Sequence, residues 1–146
     1  MDKLEVGQNA PSFALKDENG KARTPADVPK LVVYFYPKDF TPGCTIQIQD
    51  FSKEYEGYKA KGYEIYGVSP DSVESHQKFC EAYKAPYPVL SDLDSAVAKA
   101  YGAYGNKGVI GWGIIRSTFV IENGVLKAVH YKVSPLSHAH DLLQSL

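Results

Sequence analysis

Residues 31–45 read LVVYFYPKDFTPGCT. Two periods meet in this stretch. Positions 31–36 are apolar without interruption. A strand solvated on one face would alternate, so this one is expected to be covered on both, like a central strand of an α/β sheet. A Thr-Pro-Gly-Cys turn follows, and Pro42 suits the first position of a helix, with its φ fixed and no N–H to leave unpaired. Beyond it Ile46, Ile48, Phe51, Tyr55 and Tyr58 are the apolar positions. From Phe51 to Tyr58 their spacing is helical, and Gly62 is a stop. Cys44 therefore sits where a strand's C-terminus meets a helix N-terminus, the usual location of sites in such sheets.

Upstream, APSFALKDENGKARTP (10–25) predicts an N-terminal hairpin about Asn19-Gly20, with Phe13 and Leu15 alternating before the turn. Downstream, YEIYGVSPD (63–71) reads as strand and loop, and 72–85 as a helix ended by Pro86. YPVLSD (87–92) reads as a short strand and 94–104 as a third helix. IIRSTFVIENGVLKAVHYKV (114–133) is a hairpin about Asn123-Gly124. The tail, 134–146, opens like a helix capped at Ser134-Pro135. Strands alternating with helices and a late hairpin give an α/β fold, a central mixed sheet flanked by helices.

With 146 residues, one domain spanning 1–146 is expected. Hydrophobic residues make up 44% and charged residues 23%, as in soluble globular chains. No apolar run is long enough to span a bilayer. MDKLEVGQNAPSF carries acidic residues and no apolar segment, so a secretory signal is not expected and a cytoplasmic location is. The net charge is −1 with scattered Lys and Arg, which lacks the basic stripe of a nucleic-acid or anionic-membrane binder. Two cysteines, Cys44 and Cys80, make neither a disulfide scaffold nor a zinc cluster. In a reducing compartment they are packing or redox chemistry.

Position favours redox chemistry at Cys44. A free thiol is only a few per cent thiolate at neutral pH. The first turn of a helix offers unpaired N–H groups and partial positive charge to an anion. The chain has two arginines, Arg23 and Arg116. Arg116 interrupts the strand-like run GIIRSTFVI, where a guanidinium needs a partner. Thr41 can aim a hydroxyl at the sulfur or at a substrate oxygen. Pro42 limits water, and Gly43 lets backbone N–H groups approach a small molecule. The set outlines a pocket for a thiolate and a short, oxygen-bearing substrate.

PKDFTPGCT with the later RSTFVI resembles the peroxiredoxins, thiol peroxidases on a thioredoxin-like fold, and within them the bacterioferritin comigratory protein or peroxiredoxin Q subfamily. The likeness runs from VGQNAPSFAL through YEIYGVSPDSVESHQKF and PYPVLSD to the last hairpin. It implies that Cys44 is the peroxidatic nucleophile, held as thiolate by Thr41 and Arg116, shielded by Pro42. The N–H groups of Gly43 and Cys44 would bind the peroxide. Gln47 stands where the family often has Glu. No cofactor is implied. The substrate would be hydrogen peroxide or a small organic hydroperoxide, the reductant a thioredoxin-type protein, and the protein a monomer.

Many members of the subfamily carry a resolving cysteine five residues after the nucleophile; here that residue is Gln49. The other thiol, Cys80, resembles a second arrangement with the resolver on the next helix. A disulfide needs Cα atoms about 4.4–6.8 Å apart, so local unwinding of both helices on oxidation is expected. Alternatives remain: Cys80 as core packing in a one-cysteine peroxidase, a disulfide oxidoreductase or redox sensor, or a non-catalytic thioredoxin-like domain. His76 sits on the helix of Cys80, where it could affect that thiol's reactivity, but a solvent-exposed histidine is the expectation; nothing is assigned to His138 and His140, which share no helix face. Trp112 lines the substrate entrance or packs, and the charged residues of KEYEGYKAKG form a solvated face.

Overall fold

The computed structural model describes residues 3–146; Met1 and Asp2, which open the acidic N-terminal stretch, lie outside it. The elements are β1 (Leu15–Lys16), β2 (Ala22–Arg23), β3 (Lys30–Phe35), α1 (Pro42–Ala60), β4 (Glu64–Ser69), α2 (Val73–Tyr83) and β5 (Val89–Ser91). Then come α3 (Ala96–Ala100), β6 (Tyr104–Asn106), β7 (Trp112–Ile114), β8 (Ser117–Glu122), β9 (Val125–His130) and α4 (His138–Ser145). Seven strands form one mixed sheet in the order β2-β1-β5-β4-β3-β8-β9, and β6 pairs with β7 apart from it. Strands β3, β4 and β5 run parallel, β8 pairs antiparallel with β3 and β9 antiparallel with β8, and β1 pairs antiparallel with β5 and with β2 at the other edge.

The uninterrupted run in β3 has the expected cause. Val32, Tyr34 and Tyr36 face one core, built with Ile48, Phe51 and Tyr58 of α1, Phe79 of α2 and Leu142 of α4. Leu31, Val33 and Phe35 face the other, with Phe13, Ala98 of α3, Tyr101 and Phe119. Side chains alternate along a strand, so only burial on both faces makes the sequence read as continuous. The core under α1 is aromatic. Tyr34 stacks on Phe51 at 4.5 Å between ring centroids, and its hydroxyl lies 2.7 Å from that of Tyr87. Gly67, paired with Tyr34 across β3 and β4, makes room for that ring; a Cβ there would lie 2.9 Å from it.

Turn chemistry matches the sequence where φ must be positive. Asn123 (φ 52°) and Gly124 (φ 81°) give the β8–β9 hairpin both left-handed positions of a type I′ turn. At the N-terminal hairpin, Gly20 has φ 79° and Asp17 Oδ1 accepts from the N–H groups of Asn19 and Lys21.

Three boundaries differ from expectation. The third helix is confined to Ala96–Ala100, because Gly102 turns the chain at φ 73° and Tyr104 opens β6. The Asp92 carboxylate, two residues before the expected start, accepts from the N–H groups of Val97 and Ala98 and fixes its N-terminus. The last helix begins at His138 rather than after Ser134, whose hydroxyl instead accepts from Leu136 N in a local turn. Arg116 lies between β7 and β8, within neither strand. The charged face of KEYEGYKAKG is solvated as expected, with Lys53, Glu56, Lys59 and Lys61 exposed, while Tyr58 on the inner face is buried and donates to the Ala139 carbonyl (2.6 Å). Gly57 lies under Leu143, where α4 packs closely on α1.

Candidate active site

β3 ends beside the start of α1. Tyr36, just past the strand, donates to Asp39 Oδ1 (2.6 Å), and Phe40 takes a left-handed conformation at φ 63°. Thr41 is the N-cap of α1, with extended backbone, and Pro42 opens the helix as expected. Cys44 is the third helical residue and is buried. The N–H groups of this first turn have no partner within the helix, so they and the helix dipole favour negative charge at the sulfur.

Arg116 is brought to that sulfur by tertiary structure. The chain leaves β7, and Val133 N–H donates to the Arg116 carbonyl (3.0 Å), fixing the backbone. Nη2 then lies 3.5 Å from Cys44 Sγ, while Nη1 donates to Gln47 Oε1 at 2.6 Å. Gln47 is one helical turn beyond Cys44 and fully buried; its Nε2 finds no hydrogen-bond partner among the described residues. The guanidinium passes over Gly43. A Cβ there would meet Nη2 at 2.9 Å and Pro135 Cγ at 3.4 Å, so the glycine is what allows the cation so close to the helix start.

The Thr41 hydroxyl donates to the Lys38 carbonyl (2.7 Å), not to the sulfur, which leaves its lone pairs free to accept. Pro42 is exposed at the mouth of the site. Beside it Pro37, Lys107, Ile115, Arg116, Lys132 and Val133 line a cleft of about 410 Å³. A larger cleft of about 560 Å³ lies between β9 and α4 and has no part of the Cys44 cluster on its walls. Trp112 stacks on Tyr104 at 6.4 Å and is 66% exposed; it belongs to a neighbouring cleft with Lys107 and Ile110 rather than to a packed interior.

Cys80 lies in the last turn of α2, buried in the same core as Cys44. Both thiols are free, and both helices are wound through them. Burial, reinforced by the charges of Glu18, Asp39 and Asp17, pushes the Cys80 thiol up to about 12.

His76 does not sit in solvent. It is 0% exposed, with Nδ1 2.8 Å from Asp39 Oδ2 and Nε2 2.9 Å from the Leu90 carbonyl. The expected exposure fails because α2 lays this residue against the loop before Cys44. Asp39 also accepts from Ser75 Oγ (2.8 Å), and its N–H donates to Asp71 Oδ2 (2.8 Å). Ligand atoms of Asp39, Asp71 and His76 lie within 4.8 Å of one another, a spacing compatible with a metal ion. Their oxygens and nitrogens are already engaged with Tyr36, Ser69, Ser75 and Leu90, so the donor set fits a hydrogen-bonded network better. The sequence reading missed this cluster. The one signal was an acidic residue in PKDF, followed by a histidine in the helix after the next strand.

A seven-stranded mixed sheet with helices on both faces, and a cysteine at a helix N-terminus beside a guanidinium, is the arrangement of thioredoxin-fold peroxiredoxins. The AhpC/TSA family profile matches residues 6–129. A Helicobacter pylori relative that bears the peroxiredoxin bcp name is 45% identical, covering 100% of both chains. Among solved structures, the Xanthomonas campestris bacterioferritin comigratory protein, studied for its alkyl peroxide reduction activity, superposes with a TM-score of 0.86. It is 35% identical and covers 91% of this chain and 88% of its own. A cysteine-to-serine variant of Xylella fastidiosa PrxQ gives 0.94 at 29% identity, covering 99% and 96%. The chain belongs to the AhpC/TSA family, as a peroxiredoxin of the Bcp/peroxiredoxin Q type, and is a thiol peroxidase.

Proposed function

We propose that the chain, as one domain over 1–146, reduces hydrogen peroxide and small organic hydroperoxides through a Cys44 thiolate and a Cys44–Cys80 disulfide. The observation that carries the first half is the Arg116 Nη2 to Cys44 Sγ distance of 3.5 Å at the start of α1. A guanidinium there attracts a thiolate and, as substrate enters, the oxygens of the peroxide. The thiolate attacks the terminal hydroxyl oxygen in line with the O–O bond. That bond breaks, its electron pair leaves on the distal oxygen, and the departing hydroxide or alkoxide takes a proton as water or alcohol. Gly43 and Cys44 N–H groups and Arg116 stabilise the developing charge. Thr41 Oγ1 accepts from the incoming hydroperoxide, and Pro42 limits water. Gln47 aligns Arg116 and offers its free N–H to an oxygen in the pocket.

Cys44 is then a sulfenic acid. Cys80 sulfur displaces its hydroxyl as water, giving the disulfide, which a thioredoxin-type dithiol returns to two thiols. A buried Cys80 held up to about 12 is a poor nucleophile in place, so the helices unwind locally to bring it out. The reported alkyl peroxide reduction of the X. campestris relative supports the organic hydroperoxide range. Among the described residues no helix is long and apolar enough to cross a membrane. We place the enzyme in the cytoplasm, as a monomer.

One equivalent of peroxide on reduced protein tests the scheme by intact mass. Wild type loses the mass of two hydrogen atoms, whereas Cys80→Ser stops at sulfenic acid and over-oxidises with excess peroxide. A dimer linked through Cys44 would sink the Cys80 assignment. Oxidation of Cys44 no faster than that of free cysteine would sink the peroxidase reading of this site.

A further inference from the structure

The proposed chemistry makes no use of the buried Asp39 and His76, or of the half-buried Ser75 beside them. Hydrogen counting defines their state. A carbonyl only accepts, so His76 Nε2 carries the proton shared with Leu90 O. Asp39 Oδ2 and His76 Nδ1 then share a further proton across 2.8 Å, a charge-assisted bond closed off from solvent. The pair is pinned to the sheet at both ends: Asp39 through Tyr36 at the end of β3, His76 through Leu90 of β5.

Its place in the chain gives it a use. Asp39 precedes Cys44 by five residues, and His76 precedes Cys80 by four, one helical turn on the same face of α2. On the Cys44 side of the pair, the aromatic contact of the loop with α2 is one that is easily lost. Phe40 packs edge-on against Phe79 (5.0 Å) and near Tyr83 (6.4 Å), and it is 51% exposed. Breaking the aromatic contact exposes little new surface. Breaking the buried pair strands a charge in the core, which is strongly destabilising.

We propose that the Asp39–His76 pair is a pivot that stays closed while the helical segments beyond it unwind, and that these two residues position Cys80 for capture of oxidised Cys44. This rests on the reading of Cys80 as the resolving thiol. Through the pivot nine residues separate the two sulfurs' positions, against thirty-six along the chain. Loop-closure entropy varies as about 3/2 RT ln n, so a closed pivot raises the local concentration of Cys80 at Cys44 by about eight-fold. Asp39 and His76 thereby set how sulfenic Cys44 divides between two fates. One is the disulfide, with loss of water. The other is the sulfinic acid, formed when a second peroxide transfers an oxygen and leaves as water or alcohol.

The test is the ratio of disulfide to sulfinic product, by intact mass, over a peroxide titration of full-length reduced protein. His76→Gln is expected to shift that ratio towards sulfinic acid by about eight-fold. Ser75→Ala, which removes one bond from Asp39, shifts it the same way by less. Leu126→Ala, in the core on the opposite sheet face, lowers Tm but leaves the ratio unchanged, which separates positioning from general loosening. In a Cys80→Ser background, His76→Gln leaves sulfinic formation unaltered. A ratio that stays put, or that moves towards disulfide, overturns the pivot. If His76→Gln does not fold, Ser75→Ala decides alone: a shift no larger than that of Leu126→Ala overturns it. Should wild type form no Cys44–Cys80 bridge at all, the Cys80 reading falls and takes the pivot with it. A bridge that forms at the same rate in every variant removes the pivot alone.

Discussion

Cys44 and Cys80 are the same side chain on the same kind of support, each buried on a helix in one aromatic core. Their surroundings differ. Cys44 has a helix N-terminus behind it and a guanidinium 3.5 Å from its sulfur. Cys80 is far along α2, among Phe79 and Tyr83, with the nearest charges acidic, and its thiol is pushed up to about 12. Burial and acidic neighbours raise the Cys80 thiol, whereas a cation and unpaired N–H groups face the Cys44 sulfur. One environment readies a sulfur to attack within the folded state. The other keeps a sulfur protonated until the fold lets it go. The proposed order of events, oxidation first at Cys44 and resolution second by Cys80, follows from that contrast.

The contrast is most severely tested by removing the cation. Arg116→Ala should slow oxidation of Cys44 by about 10²–10³-fold in stopped-flow measurements, the usual cost of one donor to developing charge. Arg116→Lys should recover only part of this, because an ammonium cannot reach sulfur and Gln47 together as the planar fork does. An unchanged rate in Arg116→Ala would erase the electrostatic difference between the two thiols. Gln47→Ala comes next, with about ten-fold slower oxidation, since it frees Nη1 and lets the guanidinium drift.

The Cys80 side of the comparison is read from stability against pH. In the unfolded chain this thiol ionises near 9; in the reduced fold it holds its proton to about 12. Above pH 9 the unfolded state therefore binds fewer protons, and stability falls as pH rises. Cys80 contributes up to about 1.4 kcal/mol per pH unit between those values. Urea unfolding of wild type and Cys80→Ser from pH 8 to 10 should show wild type losing more. Equal slopes would mean the thiol is not held back by burial. The smallest effect concerns Phe40. Phe40→Ala removes an exposed edge-on contact with α2 and should speed disulfide formation by about three-fold, the scale of one such aromatic pair, while leaving Cys44 oxidation unchanged.

Much of this was legible in the chain. Residues 31–36 announced a strand buried on both faces because no polar residue breaks the run, and Asn123-Gly124 announced its hairpin because both positions need positive φ. The Cys44 turn was legible because Pro42 and Gly43 have narrow backbone uses. Boundaries governed by tertiary partners were not. Asp92 fixes the start of α3 from outside the expected helix, and Ser134 satisfies a local turn in place of a cap. The error at His76 has the same root. On α2 alone it is one more polar residue among Glu74, Gln77 and Lys78; only the loop from β3 makes it the partner of Asp39.

By itself, then, the sequence determined the α/β layering and the turn that presents Cys44, since these rest on local backbone preference and apolar period, while its motifs carried the resemblance to the family. Tertiary structure decided what each polar group faces. It carried Arg116 across 72 residues to Cys44, seated the guanidinium on Gly43 and against Gln47, and closed Asp39 on His76 over 37. Charge interactions act through space over a few ångströms, and no period in the chain encodes which side chains the folded sheet brings that close.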